Sequence, residues 1–179
     1  MKDRHILLGV TGSIAAYKAA DLTSKLVQAG AEVTVVMTES ATRFVAPLTF
    51  QTLSRRAVYL DMWQAEQRFD VAHVALADWA EIVLITPATA DILGKFANGI
   101  ADDLLSTLLL AVDVPVLLAP AMNHRMWSNP IVQQNVSRLK ELGHHIVEPG
   151  EGYLATGAMG KGRLADVQDI IDAVTSLLQ

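Results

Sequence analysis

Asn123 stands in Pro120-Ala121-Met122-Asn123-His124-Arg125-Met126-Trp127, directly after a short apolar run at 116–119. A buried strand that ends this way presents a polar amide where a parallel sheet opens onto its ligand crevice. His73 is the candidate acid or base, because imidazole titrates near neutrality. It lies in a largely apolar stretch at 69–77, where the ordinary alternative is a packed core or interface histidine. Gly9-Val10-Thr11-Gly12-Ser13-Ile14-Ala15 is a candidate phosphate cradle. Gly12 lets a backbone approach a ligand closely, and the N–H groups of a helix start with the Ser13 hydroxyl suit an anion. The plain alternative is a helix cap at Ser13. The segment is not Gly-x-Gly-x-x-Gly, since Ala15 stands at the third glycine, and it lacks the Lys-Ser/Thr of a P-loop.

Two more polar clusters follow strand-like runs: Thr38-Glu39-Ser40 and Pro87-Ala88-Thr89-Ala90-Asp91. Each alone reads equally as a helix cap. Four clusters on one sheet edge suit a nucleotide-like ligand, and their mostly neutral character suits a mononucleotide with one phosphate. The other histidines carry less: His5, His144 and His145 fall near strand starts, and His124 is expected to face solvent. Trp63, Trp79 and Trp127 read as packing residues. No His-Glu-x-x-His or Gly-x-Ser-x-Gly is present.

The elements that must position these residues alternate. Strands are expected at 5–10, 32–37, 82–86, 116–119 and 145–147. Helices are expected at 14–29, 40–44, 48–53, 90–98, 103–112, 130–142 and 167–178, and a long glycine-rich loop at 148–163. Such alternation predicts a parallel sheet with helices on both faces. At 179 residues one domain is the expectation. Hydrophobic residues make up 51% and charged residues 18%. That is apolar enough to imply elements buried on both faces and surface covered by subunit contacts. The net charge of −5 leaves no basic stripe for nucleic acid. The absence of cysteine excludes disulfides and thiolate metal sites, and no metal site is expected. The apolar run at 6–10 breaks at Thr11-Gly12-Ser13, so it reads as strand and turn rather than a signal peptide. No run is long enough to span a bilayer, and a cytoplasmic protein is expected.

Taken in order, Gly12-Ser13-Ile14-Ala15-Ala16-Tyr17-Lys18, Met37-Thr38-Glu39-Ser40-Ala41, His73, Pro87-Ala88-Thr89-Ala90 and the Pro120–Trp127 motif resemble the flavin-containing cysteine decarboxylases that have one essential histidine. The likeness spans essentially the whole chain and is nearest to their coenzyme A branch, which acts on 4′-phosphopantothenoylcysteine. It implies a flavodoxin-like (Rossmann-like) three-layer α/β sandwich of residues 1–179. It also implies homotrimers, sometimes assembled into dodecamers, with FMN between subunits. By position, Gly12, Ser13, Ile14, Ser40, Ala88, Thr89, Ala90, Asp91 and Ala121 would contact FMN. His73 would be the essential histidine. Asn123 would bind the substrate's cysteine carboxylate, with Met122 and Met126 beside it. Residues 148–163 would be the substrate flap. In the implied chemistry, oxidation of the cysteine Cβ–S unit gives a thioaldehyde, an electron sink one bond from the departing carboxylate, and loss of CO₂ leaves an ene-thiol.

The chain departs from that pattern at Ala155-Thr156-Gly157, where the coenzyme A enzymes carry Ala-Cys-Gly. The cysteine is the proton donor for the final reduction, and a threonine hydroxyl is far less acidic than a thiol of pKa about 8.5. Oxidation and decarboxylation are expected to survive with the final reduction slow or absent. The resemblance leaves two alternatives: an oxidative decarboxylase of peptides with a C-terminal cysteine (lantibiotic type), and a non-catalytic FMN-binding regulatory subunit.

Overall fold

The computed structural model describes residues 1–63, 72–153, 157 and 159–179. Its first half runs β1 (His5–Val10), α1 (Ala16–Gln28), β2 (Glu32–Met37), α2 (Glu39–Thr42), α3 (Pro47–Ser54), β3 (Val58–Tyr59), α4 (Ala72–Trp79) and β4 (Ile82–Ala88). The second half runs α5 (Ala90–Ala97), α6 (Leu104–Ala111), β5 (Val116–Pro120), α7 (His124–Trp127), α8 (Pro130–Glu141), β6 (His145–Ile146), β7 (Gly150–Tyr153), β8 (Met159–Arg163) and α9 (Val167–Leu177).

Six strands form one parallel sheet in the order β3-β2-β1-β4-β5-β6. Side chains alternate across it, because successive strand residues point to opposite faces. Ile6, Leu8, Val33 and Val35 pack with Leu22 and Leu26 of α1 and Ile170 and Val174 of α9. Leu7, Val36, Val83 and Ile85 pack on the other face with Ile92 and Phe96 of α5, Leu105 and Leu108 of α6, and Leu139 of α8. The central strands are apolar at nearly every position because both faces are covered. The result is the expected three-layer α/β sandwich. Without the two-residue β3, the strand order is that of flavodoxin; with it, that of the dinucleotide-binding fold. In both, the chain reverses direction between β1 and β4, so a crevice opens beyond their carboxyl ends.

Several expectations need correction. The helix expected from residue 14 starts at Ala16, and Ser13-Ile14-Ala15 forms a turn held by Ala16 N–H on the Ser13 carbonyl at 2.9 Å. Residues 148–163 are not a plain loop. β7 and β8 pair antiparallel, Glu151 opposite Lys161 and Tyr153 opposite Met159. Glycine has low strand propensity, so pairing and docking hold this hairpin rather than local preference. Three short elements were not expected: β3, α4 and α7. Among the described residues, no helix is long and apolar enough to cross a membrane.

Candidate functional site

The loops after β1, β4 and β5 meet at the carboxyl edge of the sheet, and Thr11 joins the first two. Its hydroxyl donates to the Pro87 carbonyl and accepts from Thr89 N–H at 3.2 Å. Thr89 caps α5 by accepting from Ile92 N–H, and Thr38 caps α2 by accepting from Ala41 N–H. The capping alternative therefore holds for these two hydroxyls. For Ser13 it holds in part: Ala15, the residue preceding α1, provides no side-chain cap, but Ser13 Oγ accepts from Ala15 N–H at 3.3 Å. Gly12 lies against Ser40, where a Cβ on Gly12 would collide with the serine Cβ. That close approach of two loops requires glycine.

A cavity of about 310 Å³ opens beside this turn, within the range of small-molecule sites. Ser13, Ile14, Ala121, Met122 and Asn123 line it, as the motifs implied. Tyr17 and Lys18 of α1 also line it, with Tyr153 of β7 and Arg163 of β8 from the segment expected to be the substrate flap; none of the four was singled out as a site residue. The signals were Tyr17-Lys18 in the family-like motif and the expected flap at 148–163; the convergence of Lys18 with Arg163 exists only in the fold. Burial and the nearby Arg163 guanidinium hold the Lys18 ammonium below its usual pKa, and Asp166 opposes them. Two cations thus share one opening, a setting that favours an anion between them.

Asn123 caps α7: its Oδ1 accepts from Arg125 N–H at 2.8 Å. With the oxygen engaged, the two Nδ2 donors remain for the cavity. A carboxylate accepts hydrogen bonds and cannot donate them, so an amide presenting N–H suits it. Met122 lies in the wall, whereas Met126 stands exposed on α7. His124 does not simply face solvent. It is half-buried, and its Nδ1 is buried without a hydrogen-bond partner among the described residues, as is Thr86 Oγ1. Trp127 is buried, Trp79 stacks on His5 with ring centroids 4.7 Å apart, and Trp63 is exposed rather than packed.

A second cavity of about 580 Å³ is lined by Ser40, Asp91 and Trp63. Lys95 also lines it and pairs with Asp102 at 3.0 Å, Asp91 at 3.3 Å and Asp103 at 3.6 Å. Burial disfavours the Lys95 charge, yet the bond to Asp102 and the charges of Asp91 and Asp103 hold its pKa above the usual value. The implied cofactor set is thus divided: Ser13, Ile14 and Ala121 on one cavity, Ser40 and Asp91 on the other, with Gly12 at the boundary. Ala88 is buried in β4, and Thr89 and Ala90 begin α5. His73 is half-buried near the start of α4 and lines neither cavity. Thr156 lies outside the described residues.

The flavoprotein family model matches residues 1–179. The chain is 54% identical over 171 residues to the coenzyme A biosynthesis bifunctional protein CoaBC of Bacillus subtilis, covering 96% of this chain and 42% of that protein. It thus spans under half the length of the bifunctional relatives it matches. It is 42% identical over 177 residues to a probable phosphopantothenoylcysteine decarboxylase of Streptococcus mutans, covering 98% and 99% of the two chains. Among solved structures it is similar to a PPC decarboxylase Cys-to-Ser mutant complexed with pantothenoylaminoethenethiol, at 33% identity and TM-score 0.88 over 98% of each chain. It is also similar to the FMN-dependent cysteine decarboxylase SpaF, at 37% identity and TM-score 0.85, covering 98% of this chain and 95% of that one.

Proposed function

The chain belongs to the flavoprotein family, and from that premise we propose that it binds FMN and decarboxylates the cysteine unit of 4′-phosphopantothenoylcysteine on the route to coenzyme A. The observation that carries this reading is one cavity onto which the Asn123 amide and the cations Lys18 and Arg163 all open. A substrate with a carboxylate at one end and a phosphate at the other matches that arrangement. FMN, when bound, supplies the two-electron oxidation that gives the departing carboxylate an electron sink. The turn at the start of α1, where no side chain of Ala15 caps the helix, supports a place for the cofactor phosphate beside Ser13. The carboxylates around Lys95 make the second cavity unsuitable for it.

The residues then divide the work. Asn123 Nδ2 holds the substrate carboxylate, Lys18 and Arg163 hold the phosphate, and Tyr153 closes the cavity from the hairpin. His73 moves a proton during oxidation. Because His73 lines neither cavity of its own chain, a second copy brings it, and the flavin lies between the subunits of a trimer, free or assembled into dodecamers. Exposed Ile14, Tyr17 and Tyr153 supply apolar surface for that contact. The enzyme works in the cytoplasm.

Thr156 in place of the flap cysteine leaves the final reduction slow, so the ene-thiol accumulates. The ene-thiol held by the Cys-to-Ser mutant of a related decarboxylase supports this. Thr156 equally favours a second reading, oxidative decarboxylation of a peptide with a C-terminal cysteine. Incubation of the purified yellow protein with each substrate separates the two. CO₂ release from 4′-phosphopantothenoylcysteine alone supports the first reading, and release from the peptide alone overturns it. A colourless protein that cannot be reconstituted with FMN overturns both.

A further inference from the structure

The hairpin does more than close the cavity; β8 lies directly on the turn that carries Asn123. Met122 N–H donates to the Gly162 carbonyl at 2.9 Å. Beside that bond, Gly162 has a φ of +149, and a Cβ there would collide with the Met122 carbonyl oxygen. The same Cβ would lie 3.3 Å from His124 N and 3.4 Å from Asn123 C. Two residues earlier, a Cβ on Gly160 would lie 2.9 Å from His124 Cβ and 3.2 Å from its Cγ. Residues two apart on a strand share a face. Both glycines therefore present bare backbone to the Asn123 turn, and side chains at these positions would hold the strand away from it.

Asn123 is tied to α7, where its carbonyl accepts from the N–H of buried Trp127 at 3.0 Å, and Gly162 holds the residue just before it. Its own bond to Arg125 N–H lies within the same turn. Upstream, Ala121 N–H is held by the Ala88 carbonyl at 3.1 Å, and the next N–H is the one held by Gly162. We infer that Gly162, with Gly160 beside it, is a positioning residue for Asn123: the bare face of β8 sets where the Asn123 amide meets the substrate carboxylate. The inference rests on the reading of Asn123 as the carboxylate-binding residue.

The two glycines differ in what a methyl group would meet, and that difference supplies the test. At Gly162 the obstacle is backbone, so no side-chain change can relieve it. At Gly160 the obstacle is the His124 side chain, which can be removed. The FMN-loaded full chain is compared with Gly162→Ala, Gly160→Ala, His124→Gly and the Gly160→Ala/His124→Gly pair. The readouts are kcat/KM for CO₂ release from 4′-phosphopantothenoylcysteine in air, where O₂ reoxidises the flavin between turnovers, the bound-flavin spectrum, and hydrogen exchange at the Met122 amide. Gly162→Ala is expected to exchange Met122 at least tenfold faster and to lose at least tenfold in kcat/KM, with the flavin spectrum unchanged. Gly160→Ala is expected to fall in the same direction, and its pairing with His124→Gly to recover most of both losses.

Unchanged exchange in Gly162→Ala overturns the inference. So does faster exchange with unchanged kcat/KM, or failure of His124→Gly to rescue Gly160→Ala. If the wild-type protein releases no CO₂, the decarboxylase reading fails by itself. The glycine contact is then decided by exchange alone, where faster exchange at Met122 and its rescue in the pair support it and their absence overturns it.

Discussion

At Asn123 the amide is divided between two tasks. Its oxygen caps α7 through Arg125 N–H, and its nitrogen is left for the cavity. Asn123→Asp keeps the capping oxygen and replaces the donor with a charge that repels a carboxylate. Losing a hydrogen bond to a charged group costs about 1.5–3 kcal/mol, so kcat/KM for CO₂ release should fall about 10- to 150-fold while flavin binding holds. Steady-state assays in air, where O₂ reoxidises the flavin, check the first, and flavin absorbance checks the second. At position 156 the argument is acidity: Thr156→Cys restores a thiol of pKa about 8.5. Product mass should then shift from the ene-thiol to the saturated thiol, two hydrogens heavier. Asn123 was legible in the sequence because its motif follows a strand. Lys18 and Arg163 were not, since they lie far apart in the chain and only the packing of β8 beside α1 brings them together.

At the scale of elements, legibility followed the source of stability. The runs at 5–10 and 32–37 are strands at those residues, because isoleucine, leucine and valine buried on both faces leave no other reading. Val58–Tyr59 was illegible because two residues carry no period and their pairing with β2 alone makes them a strand. The hairpin was illegible because its glycines have no local strand preference. It is held from outside: Glu148 bonds Lys140 of α8 and Lys161 of β8, each at 2.8 Å. Those two bonds hold the Glu148 carboxyl below the usual carboxylate range, against its partial burial. A depressed carboxylate contributes stability above its unfolded pKa, and that contribution is lost as pH falls through the lower folded value. Because the pairs are about half exposed, about 0.5–1 kcal/mol is at stake. Glu148→Gln should lower Tm by about 1–4 °C at pH 7. The difference should disappear once pH falls below the folded pKa, which thermal melts across the acid range would show.

At the scale of the whole molecule, one chain does not bring its implied residues together. Asn123 faces the first cavity, Ser40 and Asp91 face the second, and His73 on α4 faces neither. The site we propose to be shared between copies would account for this and for exposed Ile14, Tyr17 and Tyr153. Co-expressing His73→Ala with Asn123→Asp should therefore raise CO₂ release in mixed oligomers above that of either impaired variant alone. Activity that never rises above theirs in verified mixed oligomers would place both residues in one subunit's site. Removal of CO₂ from a phosphorylated cysteine adduct, with the electrons left on the flavin, is tested most directly by anaerobic incubation of the FMN-loaded protein with 4′-phosphopantothenoylcysteine, followed by mass spectrometry of the product and absorbance of the flavin. The expected product is lighter by carbon dioxide and two hydrogens, with the flavin bleached in proportion. An unchanged substrate mass beside a fully oxidised flavin would contradict the proposed reaction.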